Sequence, residues 1–329
     1  MLNIVGKRGW YFIISAIIIL PGLISLIIPP GWSTLNSGLN PGIDFTSGSV
    51  MDVTFDRPVN QSQIQARMDA LGHPEALIQS TGSRSALIRT KVLKESTGGG
   101  TSERQKIQDD LEDTVAPIVA VSFDSISPII ALETVRNTFF AMAAASVFIL
   151  LYIWYAFRRA PKAYRYGISA VFALLHDTLI VLGIFSILGK VLDVEVNSTF
   201  IIGILTVAGY SVNDTIVVFD RIRENVIRHP ERAFDSLVNL SIIETIGRSL
   251  NTSFTTLLVL LAMLMIGGPS IRGLLLVVAI GVIVGTYSSI FIAAQLLVIW
   301  DRREFGRAFR WGKRAPAAAG TALLSLIGR

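Results

Sequence analysis

The sequence predicts a polytopic α-helical membrane protein, with six transmembrane helices and one α+β domain outside the bilayer. Three observations predict it. Of 329 residues, 51% are hydrophobic and only 16% charged, against roughly 25% charged in an ordinary soluble domain. Apolar stretches of roughly 20 residues, enough to cross about 30 Å of hydrocarbon, recur along the chain. Between the first two of them lies a polar stretch that switches between helical and strand periodicity.

The first apolar stretch, Trp10 to Ile28, follows Lys7 and Arg8. It is too long for the apolar core of a signal peptide and ends in Pro29-Pro30 without a small-residue cleavage site, so an uncleaved anchor is expected. In the polar stretch, Met51, Val53 and Phe55 alternate as a strand. Asn60 is placed to cap a helix whose Ile64, Met68 and Leu71 share a face, and Gly72 to end it. Strands follow near Ala76 to Gln79 and Ala86 to Leu93, then a Gly98-Gly99-Gly100 break. A helix with Ile107, Leu111 and Val115 on one face and a strand near Ile118 to Phe123 complete the stretch. The order β-α-β-β-α-β is that of a ferredoxin-like sandwich.

The remaining spans read as Val135 to Phe157, Tyr166 to Leu188, Ser198 to Phe219, Gly247 to Ile266 and Gly273 to Trp300. Before the fifth, Ala233, Phe234, Leu237 and Val238 have the spacing of a helix lying in the membrane interface, with Ser241 and Glu244 as a capping box for the span itself. Gly281 and Gly285 form a small-x-x-x-small pair, as do Ala141 and Ala145, which permits close helix packing. The expected organisation is residues 1–28 as N-terminus and first span, 29–133 as outer domain, 134–300 as spans two to six, and 301–329 as a basic tail.

Short loops alternate in charge. Arg158, Arg159, Lys162 and Arg165 follow the second span, Arg221, Arg223, Arg228 and Arg232 the fourth, and Arg302, Arg303, Arg307 and Arg310 the sixth. The intervening loops hold little beyond Lys190 and Arg272. By the positive-inside rule both termini are cytoplasmic and residues 29–133 lie outside the cytoplasm. The formal charge of +5 is thereby read as a topology signal, and no nucleic-acid partner is expected.

The chain has no Cys, which excludes disulfides and thiolate-bound metal. It lacks the glycine-rich phosphate loop of nucleotide hydrolases and the spaced histidines of zinc enzymes. The outer domain shows no cluster of nucleophile, base and metal ligand. An enzyme is not expected, and neither is a cofactor. Energy would come from an ion gradient, with each charge crossing 100 mV supplying roughly 2.3 kcal/mol.

Polar residues inside the spans carry the functional reading. Asp214, with Ser211 and Asn213 beside it, sits in the fourth span, where an ionised carboxylate costs several kcal/mol or is neutralised. Arg248 opens the fifth span at nearly the same depth and is the obvious countercharge. Two readings are open: a proton-responsive pair, or structural hydrogen bonding at Asp214 with Arg248 as an interfacial anchor. His176 and Asp177, near the middle of the third span, either extend a proton path or pin helices together.

Four stretches together resemble the SecD/SecF family of the bacterial Sec protein-export machinery. They are GIDFTSG (Gly42, Ile43, Asp44, Phe45, Thr46, Ser47, Gly48), LLHDTLIVLGIF from Leu174, AGYSVNDTIVVFDRIREN from Ala208 and IGRSLNTS from Ile246. The likeness spans essentially the whole chain, and the six-span plan resembles half of an RND-superfamily transporter. The resemblance implies a SecF-type accessory subunit in the bacterial inner membrane that, with SecD, uses the proton motive force to promote export of unfolded polypeptides. Implied partners are SecD, the SecYEG channel, YajC and membrane lipids. Implied coupling residues are Asp214 and Arg248, with protons as the coupling ion. The alternatives are an RND-type proton-coupled exporter of small molecules or lipids, and a scaffold that transduces nothing. In one respect the chain departs from the family pattern: Ser47 stands where a Gly is usual, and Ser does not adopt positive φ freely, which argues against a glycine-hinge role at that position.

Overall fold

The computed structural model describes residues 3–28, 38–94, 101–192, 194–266 and 269–302. The Pro29-Pro30 end of the first span, the Gly98 to Gly100 break and the tail beyond Arg302 lie outside the described residues. The chain divides into two compact units: Met1–Ile28, Ala143–Ile187 and Ile202–Arg329 form one, and Pro29–Met142 with Leu188–Ile201 form the other.

The second unit contains the α+β domain. Its elements are α2 (Ile43–Thr46), β1 (Gly48–Phe55), α3 (Gln61–Ala70), β2 (Leu77–Ser80), β3 (Ser85–Thr90), α4 (Glu103–Thr114) and β4 (Ile118–Ile126). The sheet order is β2-β3-β1-β4 with every pair antiparallel, the ferredoxin-like arrangement. Alternation explains its buried face: Met51, Val53 and Phe55 of β1 and Ala86 and Ile88 of β3 meet Ile64 and Met68 of α3 and Ile107 and Leu111 of α4. Asn60 caps α3 as its spacing predicts, its side chain accepting from the Ser62 amide at 3.1 Å.

Helices long and apolar enough to cross a membrane make up the first unit, parts of three of them, residues 128–142, 188–191 and 198–201, falling in the second. Six such spans are present among the described residues. They comprise α1 (Arg8–Ile27), α5 (Pro128–Ala156), α6 (Tyr164–Val191), α7 (Ser198–Arg228), α8 (Phe234–Ile266) and a last span of three pieces. Those pieces are α9 (Pro269–Ser288), a π-turn at Ser289–Ala293 and α10 (Ala294–Asp301).

The fifth span corrects the sequence reading. α8 is one helix from Phe234, so there is no separate interfacial helix and no capping box. Ser241 donates back to the Leu237 carbonyl at 2.7 Å, inside the helix, and accepts from Asn225 at 2.9 Å. Glu244 accepts from Arg221 at 2.6 Å and from Asn225 at 2.9 Å, across to α7. Val238 and Ile242 pack with Val218 and Ile222 of α7 and with Ile4 and Val5, so protein covers the face assigned to the interface. Helical spacing alone does not distinguish a lipid-facing stripe from a helix-facing one.

Candidate functional site

α7 packs against α9 through a seam of small residues. A Cβ on Gly203 would lie 2.7 Å from Val277, one on Gly281 2.0 Å from Val207, and one on Gly285 3.0 Å from Ser211. These contacts join residues of rising number on both helices, so α7 and α9 run parallel. Glycine is required because any side chain there would hold the two backbones apart.

Just past the seam sits Asp214, only 7% exposed. Its Oδ2 accepts a hydrogen bond of 2.6 Å from Ser289, the first residue of the π-turn. Asp177 of α6 is fully buried, its Oδ2 accepting from Ser211 at 2.5 Å and from Ser288 at 2.7 Å. Its Oδ1 lies 2.9 Å from His176 Nδ1, and His176 Nε2 lies 3.0 Å from Ser15 Oγ of α1. Consecutive serines thus serve two different carboxylates. The π-turn widens the helix where this happens, a deformation common at functional sites.

Two expected groupings change. Ser211 bonds Asp177, not its near neighbour Asp214, because residues three apart on α7 face different helices here. Asn213 faces outward. The expected Asp214–Arg248 pair does not form among the described residues. Tyr210 donates to Ser253 at 3.2 Å and Arg221 to Glu244 at 2.6 Å, contacts that bracket Asp214 and Arg248 and place them at similar depth. Arg248 nevertheless lies on the exposed face of α8, and no ion pair joins it to Asp214 among the described residues. Depth follows from residue spacing, whereas the direction around the helix axis was not matched.

The Gly42 to Gly48 motif binds the connection between α6 and α7. The Gly42 amide donates to the Val196 carbonyl at 2.7 Å, and the Val196 amide to the Asn40 carbonyl at 2.8 Å. The Asp44 carboxylate accepts from the Ser198 amide at 2.6 Å, capping the first turn of α7 where the helix dipole favours an anion. Ile43 and Phe45 are half-buried, and Thr46 donates to the Gly42 carbonyl at 3.0 Å. Ser47 has φ 64° and ψ 167°, and Gly48 has φ 131°. Position 47 therefore does take a positive φ despite its side chain, contrary to the expectation drawn from the substitution.

Sequence reasoning missed Ser15, Tyr287, Ser288 and Ser289. Ser288-Ser289 is a hydroxyl doublet inside an apolar span, and the rule that singled out Asp214 would have found it. No group of three or more His, Asp or Glu suited to a metal occurs among the described residues.

Comparison with known proteins agrees with the resemblance read from the motifs. The protein export membrane protein SecD/SecF C-terminal family matches residues 106–303, and the SecD/SecF GG motif matches residues 32–59. Protein translocase subunit SecF of Thermobaculum terrenum is 39% identical over 331 residues, covering 98% of this chain and 100% of that one. Protein translocase subunit SecDF of Bacillus subtilis is 32% identical over 91% of this chain, which spans 38% of that longer protein. The crystal structure of SecDF from Thermus thermophilus, a translocon-associated membrane protein, matches at TM-score 0.74 and 31% identity, over 92% of this chain and 39% of that one. The bundle is of the RND type, and the chain is a multi-pass membrane protein rather than an enzyme. Because one family description spans most of the membrane part and a relative matches from end to end, the chain belongs to the SecD/SecF family of protein export membrane proteins.

Proposed function

We propose that this chain is the SecF-type accessory subunit of the Sec translocase, acting with SecD to draw on the proton motive force and promote export of unfolded polypeptides. The observation that carries the proposal is Asp214: a carboxylate in the middle of a span, nearly buried, with a single hydroxyl donor among the described residues. Such a group responds to protonation, because losing its charge changes what it can accept and removes a large desolvation cost. α7 also begins at the Asp44 carboxylate and carries Asp214 about four turns further on, so one continuous helix links the motif to the proton-responsive residue.

His176 and Asp177 belong to the same path in this reading, and protons are the coupling ion, no cofactor being required. Polar residues left exposed on α7 and α8, among them Thr206, Asn213, Arg248, Asn251 and Thr255, suit a covering of helices better than lipid. SecD is the occupant we assign to that face, since SecDF relatives carry the corresponding segment within one longer chain. The wider assembly is the SecYEG channel, with YajC and lipid around it, in the bacterial cytoplasmic membrane. Both termini are then cytoplasmic and residues 29–133 periplasmic, as the basic loops indicate.

The test is export of a secretory protein in vesicles carrying this chain with SecD, comparing the natural chain with Asp214→Asn, with and without an imposed proton gradient. Loss of the gradient-dependent part of export at unchanged complex abundance is expected. A variant that still responds fully to the gradient would refute Asp214 as the coupling residue.

A further inference from the structure

The hydrogen bonds around His176 run in one direction, and that direction counts protons. Tyr287 OH donates to the Tyr11 carbonyl at 2.8 Å, an oxygen that can only accept. With that proton committed, Ser15 Oγ, 3.3 Å from the Tyr287 oxygen, is the donor in their contact. His176 Nε2, 3.0 Å from the same Ser15 oxygen, must therefore carry a hydrogen. One more proton is then needed in the 2.9 Å contact between His176 Nδ1 and Asp177 Oδ1, held by either the ring or the carboxyl. Both arrangements leave the dyad with one shared proton and no net charge, the state that burial favours for an acid beside a base.

The dyad has a connection to Asp214. Asp177 Oδ2 receives the Ser288 hydroxyl and Asp214 Oδ2 the Ser289 hydroxyl, from adjacent residues at the start of the π-turn. The seam contacts pair Val207 with Gly281 and Ser211 with Gly285, an offset of 74 residues by subtraction, whereas Asp214 with Ser289 gives 75. Neighbouring residues of a helix point about 100° apart, which lets one short segment answer to both carboxylates. The titratable groups facing the dyad among the described residues are Tyr287 of α9, whose ring lies 6.3 Å from that of His176, and, through the serines, Asp214 of α7; Asp177 forms no ion pair with Lys or Arg among the described residues.

We infer that His176 and Asp177 form a second protonatable station, holding one shared proton and coupled to Asp214 through Ser288 and Ser289. A proton taken up at the station makes an N–H or O–H bond there. When it leaves, that bond breaks and the proton is released to solvent; the Asp177 carboxylate regains its charge and holds Ser288 more tightly, which bears on the adjacent Ser289 and through it on Asp214, so charge and atoms are conserved. This rests on the reading of Asp214 as the coupling residue, and it adds a proton count at the dyad and its coupling to Asp214.

The test uses the full chain with SecD in vesicles and two readouts. In His176→Gln, an amide keeps hydrogen-bonding capacity without titrating in this range; complex abundance should be unchanged while gradient-driven export falls by about a hundredfold, the low end of the effect of removing a positioned proton-transfer group. Infrared difference spectra on a pH step provide the second readout. Asp214→Asn should retain a titrating signal from a buried carboxyl or imidazole, which Asp177→Asn removes. Natural export and an unshifted pH profile in His176→Gln would overturn the inference, as would an Asp214→Asn spectrum with no remaining signal that depends on Asp177. Gradient-driven export surviving in Asp214→Asn would instead strike at the proposed function, leaving the infrared comparison to judge the second station.

Discussion

Replacing Ser47 by Gly should stabilise the α+β domain. Ser47 holds φ 64° and ψ 167°, between the end of α2 and the start of β1. This region is essentially reserved for Gly, and a side chain there costs about 1–3 kcal/mol. Its hydroxyl makes no hydrogen bond among the described residues, while its amide donates to the Ile43 carbonyl at 2.8 Å, a contact that Gly keeps. Against the gain stands the greater freedom of Gly in the unfolded chain, about 0.5–1 kcal/mol. The net expectation is about 1 kcal/mol in favour of Gly, or about fivefold slower opening of the strand that follows. Hydrogen exchange of the β1 amides, measured by mass spectrometry on the full chain, reads this directly. Unchanged or faster exchange in Ser47→Gly would refute the claim that the side chain is strained.

Two further outcomes follow from other contacts. Arg67 donates to Asp110 through Nε at 2.9 Å and through a second guanidinium nitrogen, and this hydrogen bond and charge hold the Asp110 carboxyl below its ordinary value. A lowered carboxyl pKa makes the pair's contribution complete above about pH 4 and lost as pH falls through the folded value; exchange protection of α3 and α4 in Asp110→Asn should lack that acid-side component. At the α7–α9 seam, Gly281→Ala puts a methyl 2.0 Å from a Val207 methyl and should cost about 1–3 kcal/mol of thermal stability. Adding Val207→Ala removes the two nearest methyls but leaves the Val207 Cβ position 2.8 Å away, so it should return part of the loss, and a double variant no better than the single one would show that the seam is not the cause.

Much of the architecture was legible in the order of residues. Apolar length announces the spans because backbone groups in hydrocarbon must bond within their own segment. Alternation in β1 and β3, and the cap at Asn60, announce the βαββαβ domain because strand and helix periods differ. The fifth span was misjudged because Ser241 and Glu244, spaced as a cap, are engaged by Asn225 and Arg221 of another helix.

For the site, the sequence by itself determined which residues are costly in a membrane, and so marked Asp214, His176 and Asp177. Tertiary structure alone decided their partners. Spacing along a helix sets depth, which is why Asp214 and Arg248 come out level. The direction in which each points depends on how the helices are rotated against one another, and here Arg248 turns outward. The same rotation brings Ser288 to Asp177 and Ser289 to Asp214. No local pattern encodes that register, because it arises from the packing of α7, α6 and α9 together.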